Sequence, residues 1–231
     1  MYFLSIESSS KHFAIAISKD DKVIRFRNYA TSNVLEDAII KHLDKILLAA
    51  KLKLNHIDAF AIGLGPGSFT SLRVGLSTVK AFAMALNKPI VGISSLEMIA
   101  QAVADEDCDQ ICVLIDARRK MVYSVIYQKT ANGLKQQGKY QLSDIGVVLD
   151  QVKGCTLFVG DGLSLYRQDI EAAYKKSNNS CQALFANEQQ GRPDIRQLAH
   201  LAWKRLQASR TDDLGKILPI YLYPSDCQVS K

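Results

Sequence analysis

Apolar and polar positions along the first hundred residues change their period several times, and each change predicts an element. Residues 2–7 and 12–18 read as strands joined by Ser8-Ser9-Ser10-Lys11, and Asp20-Asp21 turns the chain into a third strand over 23–29. Between 34 and 50 the period lengthens to that of a helix, with Val34, Leu35, Ala38, Ile39, Leu43, Ile46 and Leu47 forming its stripe. Ser32 or Asn33 stands where the N-cap belongs. Ala59-Phe60-Ala61-Ile62-Gly63-Leu64 is a continuous apolar run, the pattern of a parallel strand buried on both faces. Gly65-Pro66-Gly67-Ser68-Phe69-Thr70 interrupts it. A helix is predicted over 71–86, a short strand over 89–93, and a helix from Ser94 or Ser95 to about Ala104.

The acidic stretch Asp105-Glu106-Asp107, with Asp109, marks a boundary, and beyond it the pattern partly repeats. Strands over 111–115 and 122–127 flank Asp116-Ala117-Arg118-Arg119, and Gly133 turns into a third strand near 139–142. A helix over about 143–152, a strand over 156–159, the Gly160-Asp161-Gly162 turn and a helix from Ser164 follow; a weaker strand and a helix over about 194–208 complete the half. Two halves that each open with a three-strand meander and then alternate α and β predict an α/β protein of two ribonuclease H-like domains. Each would be a mixed sheet of five strands with helices, the topology used by actin, Hsp70 and the sugar kinases. The predicted domains are 1–106 and 107–231.

Composition narrows the function classes. With 231 residues, 48% hydrophobic and 23% charged, the chain is neither low-complexity nor disordered. No apolar run approaches the roughly 20 residues of a membrane helix, and the N-terminus lacks the basic start of a signal peptide, so a cytoplasmic protein is expected, with no membrane partner. The net charge of +6 suits an acidic partner such as nucleic acid and equally suits plain solubility. The cations fall in short groups, among them Arg25 with Arg27, and Arg118-Arg119-Lys120, without the interleaved aromatics of a stacking platform. Five cysteines (Cys108, Cys112, Cys155, Cys181, Cys227) follow no disulfide framework, and no histidine completes a zinc set with them.

The glycine loop, Gly65 to Thr70, is the strongest local signal. It lacks the Lys of a Walker A loop and the frame of a nucleophile elbow. Two readings stay open: a tight strand-to-helix turn capped by Ser68 or Thr70, or an anion site at the start of the following helix.

Gly65-Pro66-Gly67-Ser68-Phe69-Thr70-Ser71-Leu72-Arg73-Val74-Gly75 resembles the signature of the TsaB (YeaZ) family, whose members help make threonylcarbamoyladenosine in tRNA. Ser94-Ser95-Leu96, Asp116-Ala117-Arg118-Arg119 with Val122-Tyr123, Gly160-Asp161-Gly162 and Pro219-x-Tyr221-Leu222 match further motifs in order. Glu7-Ser8-Ser9-Ser10 stands where the family has Asp-Thr-Ser-Thr, Ser71 replaces a glycine and Tyr223 an arginine. The resemblance implies a non-catalytic scaffold or activator. Its partners would be a TsaD-like catalytic subunit, a TsaE-like ATPase and, through the complex, tRNA.

ATP-binding relatives in the wider superfamily hold phosphates between two glycine-rich hairpins. Here the corresponding hairpins, Glu7 to Lys11 and Asp116 to Lys120, contain no glycine, so no nucleotide cofactor is expected. The predicted helix 71–86 is apolar over an arc of about 220°, more than the roughly 100° one sheet face requires. The surplus is either buried by the neighbouring helix 34–50 or left for a partner. On the second reading Val34, Leu35, Leu47, Leu72, Gly75, Leu76, Val79, Phe82 and Ala83 form the interface with the TsaD-like subunit, with self-pairing into a homodimer as the fallback. The rival functions are an ATP-dependent enzyme of the actin and sugar-kinase superfamily and a glycoprotease-like peptidase. The peptidase lacks any Ser/His/Asp or His-metal constellation in the sequence.

Overall fold

A computed structural model describes residues 1–10, 12–30, 35–176 and 182–223. The chain forms two compact units: Met1–Met98 with Pro193–Ile220, and Ile99–Arg192 with the chain from Tyr221.

The first unit is built on strands β1 (Tyr2–Glu7), β2 (His12–Lys19), β3 (Lys22–Ala30), β4 (Ala59–Gly63) and β5 (Ile90–Ile93), in the spatial order β3-β2-β1-β4-β5. β1 pairs antiparallel with β2, from Tyr2 opposite Lys19 to Glu7 opposite Ala14, and parallel with β4, from Phe3 opposite Ala59 to Ile6 opposite Ile62. Because side chains alternate across a strand, each face gathers its own set. Leu4, Ile6, Ile15, Ile17, Phe60 and Ile62 meet helices α1 (Leu35–Ala49) and α2 (Phe69–Leu86). Phe3, Ala14, Ala16, Ala59, Ala61, Val91 and Ile93 pack with Ile195, Leu198, Ala199, Leu201 and Ala202 on the opposite face. The four alanines on that face leave room for a helix to lie close, and Trp203 stacks on Phe3 with ring centroids 6.3 Å apart.

The second unit repeats the topology. β6 (Gln110–Asp116), β7 (Val122–Thr130), β8 (Gly133–Ser143), β9 (Thr156–Val159) and β10 (Ala183–Phe185) lie in the order β10-β9-β6-β7-β8. Reading each sheet from its central strand, β6 takes the place of β1, β7 of β2, β8 of β3, β9 of β4 and β10 of β5. The predicted duplication of a mixed five-stranded sheet is thus present in both units. Helices α4 (Ile145–Leu149) and α5 (Leu163–Lys176) contribute Ile145, Val148, Tyr166 and Ile170 to a core with Cys112, Leu114, Ile126 and Phe158. Amides tie the three meander strands together: Gln110 and Gln137 both donate to the Gln128 side-chain oxygen, at 3.0 and 2.9 Å.

Several boundaries differ from the sequence reading. β8 starts at Gly133 and runs eleven residues, with a register shift between Ser124 and Ile126 of its partner β7. α4 is a single short turn: Asp144 fixes its start, accepting the Gly146 N–H at 2.8 Å, and only Ile145 and Val148 are buried on it. The predicted N-cap of α1, Ser32 or Asn33, lies outside the described residues. α3 (Ser95–Ala102) straddles the division between the units.

The largest change concerns α6 (Ile195–Gln207). The sequence reading assigns the whole of 107–231 to the second domain, whereas α6 and the segment up to Ile220 complete the first unit. The physical reason is the match between the α6 stripe and the alanine-lined face of the first sheet. An ion pair reinforces it: Arg205 donates to Glu97 at 2.8 Å and to the Gly92 carbonyl at 2.7 Å.

Candidate functional site

The glycine loop lies between β4 and α2. Ser68 occupies the N-cap position without a side-chain cap bond; its hydroxyl meets that of Ser71 at 2.9 Å. The loop is tied instead to the turn after β1. The Ser68 N–H donates to the Ser9 carbonyl at 2.7 Å, and the Ser95 N–H donates to the Gly65 carbonyl at 2.8 Å. The Ser95 hydroxyl donates to the Ser9 hydroxyl at 2.8 Å. The glycines are required by this packing. A Cβ on Gly67 would lie 2.1 Å from the Ser9 carbonyl oxygen, and one on Gly75 would lie 2.3 Å from the Ser8 hydroxyl. Their space is filled by the chain itself, which favours the strand-to-helix turn over the anion site.

Glu7 closes the inner end of this arrangement. One carboxylate oxygen accepts the Ser9 N–H at 2.6 Å, and the other is buried without a hydrogen-bond partner, where a Cβ on Gly63 would lie 1.8 Å from it. Burial pushes its pKa above the ordinary carboxylate value, against the opposing pull of the Ser9 donors. A carboxyl so placed is held toward its neutral form.

Of the predicted interface, Val34 and the side chain of Leu35 lie outside the described residues. The others turn inward. Leu47, Leu72, Leu76, Val79 and Ala83 are buried, Gly75 packs on Ser8, and Phe82 is half-buried against Phe60, with ring centroids 6.2 Å apart. Part of the surplus apolar arc of α2 is covered within the unit by α1 and by Leu214 and Ile217, whose carbonyl accepts from Lys80 at 3.4 Å. The surface these helices do present includes Phe69, Thr70, Arg73, Ser77, Ala81, Met84 and Ala85 on α2, with Ile40, Lys41, Asp44, Lys45, Leu48 and Ala49 on α1. Leu48 is 78% exposed and Met84 68%. The Arg73 guanidinium lies over the Phe69 ring at 3.9 Å.

The second unit carries the corresponding loop and turn with different chemistry. Gly160 follows β9 with φ +125°, and a Cβ on it would lie 1.9 Å from the Leu114 carbonyl oxygen. Asp161 beside it accepts the Asp116 N–H at 2.9 Å, so this loop is also bonded to the turn after the first strand of its sheet. Asp116 in turn accepts the Arg118 N–H at 2.8 Å and pairs with the Arg118 guanidinium at 3.0 Å. Burial raises the Asp161 pKa, with the Asp116 charge adding to it and Arg118 and Arg192 opposing.

Between β6 and β7 three successive non-glycine residues are left-handed: Arg118 at φ 65°, Arg119 at 51° and Lys120 at 60°. Each costs about 1 kcal/mol or more relative to a right-handed residue. Bonds from Ala117 N–H to Met121 O (3.0 Å) and from Met121 N–H to Arg118 O (2.9 Å) close the turn. Tyr223 fixes it from behind: its hydroxyl donates to the Ala117 carbonyl at 2.7 Å, and its ring meets Tyr123 edge-on at 6.0 Å. Sequence reasoning noted Tyr223 only as a departure from a motif; its anchoring role had no local signal.

Among the described residues no three His, Cys, Asp or Glu side chains cluster as a metal centre requires, and no helix is long and apolar enough to cross a membrane. Residues 30–228 match the family model described as TsaD: tRNA N6-adenosine threonylcarbamoyltransferase. The tRNA threonylcarbamoyladenosine biosynthesis protein TsaB of Bacillus subtilis is 31% identical over 176 residues, which cover 74% of this chain and 76% of that protein. The chain belongs to the TsaB (YeaZ) family. The solved structure of YeaZ from Pseudomonas aeruginosa shares the fold, with a TM-score of 0.77 at 22% identity over 96% of this chain and 99% of that one. A proposed N-acetylmannosamine kinase from Listeria monocytogenes matches at 0.54 with 8% identity, over 90% of this chain and all (100%) of that one, which relates the TsaB fold to that of sugar kinases.

Proposed function

We propose that this TsaB-family chain is a non-catalytic accessory subunit in the formation of threonylcarbamoyladenosine in tRNA, acting in the cytoplasm by binding and activating a TsaD-type subunit. The relationship to TsaB proteins over three quarters of the chain carries this reading. The glycine loop supports it, because Ser8, Ser9 and Glu7 occupy the space beside Gly75, Gly67 and Gly63. The docking face is revised to the outward side of α1 and α2, around Ile40, Leu48 and Met84, since Leu47, Leu72, Leu76, Val79 and Ala83 of the face first expected are buried. A TsaE-like ATPase would complete the assembly, and the same face would serve a homodimer when the chain is alone.

A second reading, that the chain itself transfers the group, draws on the match to a transferase family model. Reconstitution separates the two. Purified TsaD-type subunit, TsaE-type ATPase, a threonylcarbamoyl donor and unmodified tRNA are assayed with and without this chain, and the chain is assayed alone. Modification only when the chain and the TsaD-type subunit are both present is the expected result. Full activity without the chain, or activity from the chain alone, overturns the accessory role.

A further inference from the structure

We propose that the β6–β7 turn, Arg118-Arg119-Lys120, is a preformed site for the phosphates of an RNA backbone. The inference rests on the accessory role in tRNA modification but adds a contact made by this chain itself. Left-handed positions in a tight turn are taken with least strain by glycine, and next by asparagine or aspartate. Here all three hold long cationic side chains, exposed at the tip. The turn geometry alone has no need of these cationic side chains.

The turn is also held from within its own unit. Asp116 ties down the Arg118 N–H, Asp161 the Asp116 N–H, and Tyr223 the Ala117 carbonyl. A turn already ordered loses little freedom when a ligand arrives. Among the described residues, the Asp116 and Asp161 carboxyl groups lie beside the turn, and burial pushes the Tyr123 phenol up to about 12, so it stays neutral at physiological pH. Asp116 engages Arg118, and Asp161 faces the backbone behind the turn. The three residues at the tip each carry a positive side chain. A cradle for a nucleotide's phosphates would need small residues that let backbone close on the anion. Three projecting cations instead suit a polyanion lying across the surface, with the two guanidiniums able to grip phosphate oxygens in pairs.

The test uses the full chain and an unmodified tRNA transcript, with binding followed by fluorescence anisotropy across a salt series. The variant R118G/R119G/K120G removes the charges while making the left-handed turn easier to adopt, and a thermal melt confirms its fold. R118K/R119K keeps the charges as a conservative control. Each lost phosphate contact lowers the slope of log affinity against log salt by about 0.7–0.9, so the glycine variant should lose about 2 to 3 from the slope and about tenfold or more in affinity near 0.1 M salt. The lysine variant should keep the wild-type slope. Equal binding by wild type and glycine variant, or no salt-dependent binding by wild type, overturns the proposal. Displacement of tRNA by about 0.1 mM ATP or pyrophosphate also overturns it, in favour of a small-nucleotide site. If the reconstituted reaction needs the chain, yet the glycine variant binds tRNA as wild type does, the site falls while the accessory role stands.

Discussion

Replacing Val79 and Met84 separately by glutamate tests whether α2 has been oriented correctly. Val79 is 0% exposed and packs among Leu76, Ala83 and the α1 side chains, whereas Met84, five residues on, is 68% exposed. Val79→Glu puts a carboxylate into a closed apolar core. Changes of that kind cost about 4 kcal/mol or more, a large part of a total stability of about 5–15 kcal/mol. At about 2–4 °C per kcal/mol for a chain of this size, the melting transition should fall by about 10 °C or more, or the protein should fail to accumulate. Met84→Glu exchanges one solvated side chain for another and should stay within about 0.5 kcal/mol of wild type. The assay is a thermal melt of each variant followed by co-purification with the TsaD-type subunit. Met84→Glu, and likewise Leu48→Glu, should melt normally and lose the partner, because a charge set into an apolar contact is left unpaired there. A Val79→Glu protein that melts with wild type would show that α2 presents the opposite face, and the burial argument would be refuted.

Three further outcomes follow from the local geometry. Glu7 has a folded pKa raised above its ordinary value, so the folded state holds that proton more tightly; its contribution is present at low pH and is lost as pH rises through the folded pKa. Glu7→Gln should therefore gain stability relative to wild type as pH rises above the ordinary carboxylate range in urea unfolding, and a gap that narrows with rising pH would contradict the assignment. Gly67→Ala should destabilise by about 1–3 kcal/mol, because the added methyl meets the Ser9 backbone at 2.1 Å; an unchanged melt would mean that the loop is not packed as described. Tyr223→Phe removes the bond to the Ala117 carbonyl and should speed hydrogen exchange at the Ala117 and Met121 amides about fivefold, equivalent to about 1 kcal/mol; unchanged exchange would deny the anchor.

The strand order was legible because the three-strand meander and the buried run at Ala59–Gly63 are local patterns, and their repetition after Asp109 fixes the second sheet by analogy. What could not be read was which surface each apolar stripe meets. The stripe Ile195, Leu198, Ala199, Leu201 and Ala202 announces a buried face but carries no address; the alanines at 14, 16, 59 and 61 that receive it lie far away in sequence. The wide arc of α2 failed as an interface signal for the same reason, since Leu214 and Ile217 cover part of it from a segment without regular secondary structure. The left-handed triplet was hidden because Arg, Arg and Lys are not residues from which such a turn is inferred. Its tyrosine anchor is 106 positions from the carbonyl it binds.

The return of α6 to the first sheet sets an order of birth on the ribosome. When the first hundred residues have emerged, the layer beneath Phe3, Ala59 and Val91 still waits for a helix that has not been translated. The strands made earliest are finished last, after the later sheet has had time to assemble. A nascent chain stalled before residue 195 would leave that alanine-lined face of the first sheet without its covering helix.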